Sequence, residues 1–128
     1  PFYRVQSIMA EAHVGLIPHY ATNAWNATIP NKLFDYMAIG KPVIVSSARP
    51  TRRIVEETQC GMVFQDRDPG SLAETILAMS KRSVREDLGK RGKAAVHERF
   101  NWTVDEQRLL QAIELTIAAR GNTQCAAS

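Results

Sequence analysis

The chain has 128 residues, 45% hydrophobic and 23% charged, with a formal net charge of +3. That length and composition fit one globular domain with a modest core and exclude a disordered or fibrous chain. The slight positive charge makes no case for nucleic acid by itself, and the apolar runs are far short of a membrane span.

The chain opens Pro-Phe-Tyr-Arg, with neither an initiator Met nor a basic-then-apolar leader, and is expected to be a fragment or a processed form. Phe2, Val5, Ile8 and Met9 recur at helical intervals and predict a helix over 2–12. Val14 to Pro18 is a short apolar run closed by proline, which predicts a buried strand. His13 just before it reads as a strand-start side chain rather than a ligand. His19 to Ala27 has no period and follows that strand. In open α/β sheets ligands bind outside the carboxyl ends of strands, where such loops lie. His19, Asn23 and Asn26 are its candidate hydrogen-bonding residues, and Trp25 offers a ring face. The alternative is an exposed loop with Trp25 folded back onto the domain.

Thr28 to Ser46 reads as a helix followed by a strand. Thr28 suits an N-cap and Pro30 the first turn. Leu33, Phe34, Met37 and Ala38 form one apolar stripe. Gly40 stands where a left-handed C-terminal residue is wanted, and Pro42 forbids continuation. Val43, Ile44 and Val45 are β-branched and uninterrupted, as in a parallel strand covered on both faces. Asn31 and Asp35 share a helical face, and Lys32 lies in the first turn beside open backbone N–H groups. A helix N-terminus with an added cation suits phosphate, and a carboxylate one turn further in can accept two neighbouring hydroxyls, as on a ribose. The alternative is an i,i+3 surface pair of Lys32 with Asp35, worth only some tenths of a kcal/mol.

Further along, Thr51 is the expected cap of a helix running to about Thr58. Arg49, Arg52 and Arg53 form a basic cluster, suited either to phosphate or to solvent. Gly61 to Phe64 predicts a third strand after a buried Cys60. A helix then opens at Ser71, capped by Ser71 or Asp68, with Leu72, Ile76, Leu77 and Met79 as its apolar face. Residues 81–99 form a basic amphipathic helix, expected to break near Gly89 or Gly92. Interleaved Glu86, Asp87 and Glu98 favour a solvated helix on the sheet over a membrane-surface one. Trp102 is expected to anchor a last helix by burying its ring, with Leu109, Leu110, Ile113 and Ile117 as its stripe. Residues 121–128, including Cys125, read as an unstructured tail. Two cysteines make no disulfide framework and have no metal-ligand neighbours, so a reducing cytoplasm is expected and no metal or cofactor.

Pro30-Asn31-Lys32-Leu33-Phe34-Asp35-Tyr36-Met37-Ala38, then Gly40-Lys41-Pro42-Val43-Ile44, resembles the donor-binding motif of family 4 glycosyltransferases, retaining enzymes of the GT-B fold. Phe100-Asn101-Trp102 resembles the signature before their last helix. The resemblance implies an α/β, Rossmann-like parallel sheet flanked by helices. It makes residues 1–120 the later portion of the nucleotide-sugar-binding domain and places the N-terminal acceptor domain outside the chain. It carries Asp35 over as ribose ligand, and the backbone around Thr28, Ile29, Pro30, Asn31, Lys32 and Leu33 as the diphosphate contact. His19, Asn23 and Asn26 would then meet the donor sugar. Ala27 departs from the family pattern, which has an acidic residue eight positions before Asp35.

The implied partner is a nucleotide-sugar donor, with uridine as the subgroup's default base, and the implied setting is surface polysaccharide synthesis in the cytoplasm or at the inner membrane face. The chain alone is expected to transfer no sugar, and no residue in it is assigned as base or nucleophile. The alternatives are a non-catalytic nucleotide- or phosphate-binding module and a nucleotide-sugar epimerase of the same architecture. A dinucleotide oxidoreductase lacks its Gly-x-Gly-x-x-Gly, and the mixed charge disfavours a nucleic-acid binder.

Overall fold

The computed structural model describes the backbone of residues 2–125 and the side chains of residues 4–119. Two compact units are present, residues 1–97 and residues 98–128. In the first, the order is α1 (Phe2–Glu11), β1 (Gly15–Ile17), α2 (Lys32–Ala38), β2 (Val43–Ser46), α3 (Arg49–Thr58), β3 (Gly61–Phe64), α4 (Pro69–Ala78) and α5 (Arg82–Glu98). The second holds α6 (Trp102–Cys125). The described strands form one parallel sheet in the order β1-β2-β3.

β2 is the middle strand, and all four of its residues are buried. Its β-branched run is covered on both faces, as the pattern predicts. Alternation divides the packing. Ile44 and Phe64 join Met79, the C-cap residue of α4, with Leu72 and Leu88 packed against them. On the opposite face Gly15 pairs with Val43, and the Tyr36 ring of α2 lies where a Cβ on Gly15 would sit. Leu33 and Met37 of α2 and Ile54 and Val55 of α3 are buried.

The end of α2 forms as its sequence implies. Gly40 adopts φ 71°, its N–H donates to the Met37 carbonyl (3.0 Å), and the Lys41 N–H donates to the Tyr36 carbonyl (2.9 Å). This paired C-terminal closure satisfies two orphan carbonyls and turns the chain directly into β2.

The starts of the helices differ from expectation. Thr28 does not cap α2: its hydroxyl donates back to the Ala24 carbonyl (3.3 Å), and Asn31 occupies the N-cap without a side-chain bond. The segment after Thr28 first makes a turn, closed by Leu33 N–H on the Pro30 carbonyl (3.0 Å), so the helix begins at Lys32. Thr51 does not cap α3 either; it is buried inside the helix, and Ala48 is the N-cap residue. Of the two candidates for α4, Asp68 is the cap, accepting from Ser71 N–H at 3.0 Å, and the helix starts at Pro69.

α5 runs unbroken through Gly89 and Gly92, which with Ala95 are its buried residues. A Cβ on Gly89 would overlap the Gly40 carbonyl oxygen, and one on Gly92 would lie 3.0 Å from the Cys60 Cβ. Two glycines weaken a helix by about 1 kcal/mol each, but here they admit a close approach to the loop entering β2. Leu16, expected to be covered, is 44% exposed, and Ile76 and Leu77 are exposed as well. Together with His13 and Arg85 they border an open groove of about 510 Å³.

In the second unit, Asn101 Oδ1 accepts from Val104 N–H (3.1 Å) and so caps α6. Trp102 does not bury its ring; it is 70% exposed. The helix continues to Cys125, past the expected start of a tail at Gly121; residues 126–128 lie outside those described.

In an open helix interior, Gly→Ala stabilises by about 1 kcal/mol. Gly89→Ala is expected to do the reverse, destabilising by roughly 1–3 kcal/mol through overpacking on the Gly40 carbonyl. A lowered urea midpoint with an unchanged slope is the expected result.

Candidate functional site

Because the strands are parallel, their carboxyl ends lie along one edge, and the segments leaving them meet there. Two adjacent serines at the end of β2 join these segments. The buried Ser46 hydroxyl donates to the His19 carbonyl beyond β1. Ser47 Oγ accepts from the Asp66 N–H beyond β3 (3.2 Å). Asp66 in turn accepts from the Ala21 N–H (3.2 Å), and the Arg67 guanidinium lies over the Tyr20 ring at 5.4 Å.

The loop from His19 to Ala27 is built on these ties. His19 and Trp25 stack with ring centroids 3.6 Å apart and planes 20° from parallel. The alternative of a folded-back Trp25 is met in part, since its ring covers His19 while remaining 38% exposed. His19 Nδ1 is shut off from solvent and has no hydrogen-bond partner. Burial, and then the Lys32 ammonium, hold the His19 pKa below its ordinary value, so the ring is neutral near pH 7. Asn23 is exposed. The Asn26 side chain is engaged within the fold. Its Oδ1 accepts from Arg49 N–H (3.0 Å) and satisfies an orphan donor at the start of α3. That bond replaces the cap expected of Thr51.

Lys32 and Asp35 stand in the first turn of α2, Lys32 exposed and Asp35 half-buried. No ion pair joins them among the described residues, so the surface-pair alternative is not realised. The influence of Lys32 on His19 places its ammonium within electrostatic reach of the loop. Asn31 is exposed and Ile29 and Pro30 are half-buried. Pro30 has no N–H and the Leu33 amide is spent on the Pro30 carbonyl, which removes both from any set of backbone donors. Thr28, Ile29, Asn31 and Lys32 remain as amide positions in that segment.

The arginine cluster belongs to solvent in two of its three members. Arg52 pairs with Glu56 (2.7 Å) and Arg53 with Glu57 (3.9 Å), both exposed i,i+4 pairs on α3. Cys60 is buried, and burial pushes its thiol pKa up, as befits an inert side chain. Among the described residues, no group of three or more His, Cys, Asp or Glu is placed to hold a metal ion, and no helix is long and apolar enough to cross a membrane.

Sequence reasoning misses Ser46, Ser47, Asp66 and Arg67, because none of them belongs to a motif. The available signal is positional: each lies at or just after the end of a parallel strand.

A three-stranded parallel sheet flanked by helices places the chain among the α/β proteins, and a cation, a carboxylate and a tied loop stand in the segments that leave its carboxyl edge. The chain belongs to the glycosyl transferases group 1 family, whose pattern matches residues 2–82. It is 30% identical over 91 residues to the phosphatidyl-myo-inositol mannosyltransferase of Mycobacterium leprae, which covers 70% of this chain and 24% of that protein. It is 26% identical over 117 residues to the protein of Escherichia coli named "Putative colanic acid biosynthesis glycosyltransferase WcaL"; the match covers 89% of this chain and 29% of that one. Among solved structures it resembles sucrose-phosphate synthase from Thermosynechococcus elongatus, with TM-score 0.75 and 25% identity over 88% of this chain and 27% of that one. The fold is therefore part of a GT-B glycosyltransferase domain. The chain spans about a quarter of the length of the relatives it matches.

His19 is expected to titrate below 6.5 in an imidazole NMR titration, and Lys32→Gln is expected to move that pKa upward. Since the unfolded chain binds the proton more readily, the His19 contribution to stability is present above pH 6.5 and lost as pH falls through the folded pKa. An unshifted pKa in both proteins would contradict the burial and the Lys32 proximity.

Proposed function

We propose that the chain is the later part of the donor-binding domain of a retaining glycosyltransferase. The whole protein would transfer a sugar from a nucleotide diphosphate sugar, with uridine as base, in surface polysaccharide or glycoconjugate synthesis at the cytoplasmic face of a membrane. One observation carries the reading: within the family-matched segment, Lys32 and Asp35 stand beside the carboxyl edge of the sheet and are not spent on each other.

In this reading the Asp35 carboxylate accepts from the ribose hydroxyls. Lys32 and the amides at Thr28, Ile29, Asn31 and Lys32 face the diphosphate. Negative charge grows on that diphosphate as the glycosidic bond breaks, and fixed donors aimed at it lower the barrier. No metal ion takes part in this account. The loop carrying His19, Asn23 and Asn26 meets the sugar, with Asn26 limited by its bond to Arg49. The base, the acceptor and the remaining diphosphate contacts fall to the parts of the protein outside this chain, so the chain alone transfers no sugar.

Exposed Ala27, with no hydrogen-bonding side chain where the family motif has an acid, favours a second reading: a module that binds a nucleotide sugar without turning it over. An amide NMR titration with UDP, GDP and NAD tests the donor site itself. Shifts with UDP confined to Thr28–Asp35 and His19–Ala27 are expected. Asp35→Ala is expected to weaken UDP at least about tenfold, as for loss of a hydrogen bond to a charged group. No response to any nucleotide by the folded chain would refute the reading, and transferase activity of the full-length protein would separate it from the second.

A further inference from the structure

We propose that the Asp66–Arg67 turn at the end of β3 is a positioning clamp for the loop that meets the donor sugar. The proposal rests on the donor-site reading and extends it to residues just past the strand farthest from β1. Three successive residues of the loop are each held from outside it. The His19 carbonyl accepts from the Ser46 hydroxyl. The Tyr20 ring lies under the Arg67 guanidinium, 5.4 Å from its centroid. The Ala21 N–H donates to Asp66 Oδ2 at 3.2 Å, across 45 residues of sequence.

The clamp is itself fixed. The Asp66 side chain is only 14% exposed, its own N–H donates to Ser47 Oγ at 3.2 Å, and its Oδ2 lies 3.6 Å from Arg67 Nε. Arg67 adopts φ 60°, a conformation that non-glycine residues rarely take, and there the same residue that faces the Asp66 carboxylate covers Tyr20. Hydrogen bonds to a charged carboxylate are among the stronger ones. The stacked His19 and Trp25 rings thus hang from a loop whose first residues are set by β2 and β3 before any ligand arrives. A loop held in its bound conformation avoids the ordering cost of binding, and that gain falls on the part of the ligand it touches. Asp66 and Arg67 touch no reacting atom; they act through His19–Ala21.

The test compares the 128-residue chain with Asp66→Ala, Asp66→Asn and Arg67→Gly, using UDP and UDP-glucose as probes and Ala21 amide exchange as a direct report on the clamp. In Asp66→Ala, UDP-glucose is expected to weaken about tenfold, the size set by one charge-assisted hydrogen bond, and Ala21 exchange to accelerate by a similar factor. UDP alone, which borders the loop but lacks the sugar that the clamped residues meet, is expected to change less than about twofold. Asn keeps an acceptor oxygen, so Asp66→Asn is expected to restore Ala21 protection and most of the UDP-glucose affinity. Arg67→Gly suits the backbone at φ 60° and removes only the hold on Tyr20, for an expected loss of about two- to fivefold on UDP-glucose.

Equal weakening of both probes in Asp66→Ala would mean a merely structural role and overturn the proposal, as would unchanged UDP-glucose affinity. Should Asp66→Ala not fold, an unchanged preference for UDP-glucose over UDP in Arg67→Gly would overturn it instead. A wild-type chain that answers neither probe would remove the donor reading and this clamp together, whereas wild-type binding unaffected by the variants would remove the clamp alone.

Discussion

The constraint on which the first unit depends is the burial of β2 on both faces and both edges. Val43–Ser46 pairs with β1 on one side and β3 on the other, and each of its side chains is buried. A slip of one residue would send each of its side chains to the opposite face, where the packing is shaped for a different residue. The chain enters it through the Gly40 closure of α2 and leaves it through Ser46 and Ser47. Those two serines convert the rigidity of the middle strand into the placement of the loops on either side. The same strand that organises the core therefore organises the candidate site.

How much of this is legible in the sequence depends on how local the cause is. The Gly40 turn, the β-branched run of β2 and the third strand follow from residues adjacent to one another, and each is found where its pattern lies. The beginnings of α2 and α3 are not local. The first amide of α3 is satisfied by Asn26, 23 residues earlier, so no reading of the Arg49–Thr51 stretch reveals it. Thr28 has the right side chain for a cap, but its hydroxyl finds the Ala24 carbonyl first, as short polar side chains do when a turn offers a nearer partner. Gly89 and Gly92 look like breaks because propensity counts only what they lose within the helix. The compensating term is the approach of α5 to Gly40 and Cys60, which lies in another part of the chain. Leu16, Ile76 and Leu77 are apolar in pattern, yet each stays exposed among the described residues.

The site follows the same division. Lys32 and Asp35 are visible in sequence because their spacing on one short helix sets their placement. What spacing leaves undecided is whether the two charges neutralise each other, and their separate positions answer that. Asn26 is legible as a polar residue of the right loop but not by its partner, since its acceptor oxygen meets a distant backbone amide. Ser46, Ser47, Asp66 and Arg67 carry no motif. Their importance comes from the convergence of three parallel strand ends, a property of topology rather than of any window of residues.

His19 shows how these levels combine. An imidazole nitrogen that is buried without a partner carries a standing penalty of about 1–3 kcal/mol. Stacking on Trp25 offsets part of it, by about 0.5–1.5 kcal/mol for an aromatic pair. The Ser46 hydroxyl holds the backbone so that the ring cannot swing out by moving the chain. Burial, and then Lys32, discourage the cationic form, so the ring keeps one nitrogen as acceptor and one as donor. A neutral imidazole of this kind answers a hydroxyl in either sense, which a carboxylate does not. On the donor reading, that gives the loop a means of holding a sugar hydroxyl although Ala27 offers none. His19 stands eight residues before Ala27, and its backbone is held by the end of the middle strand.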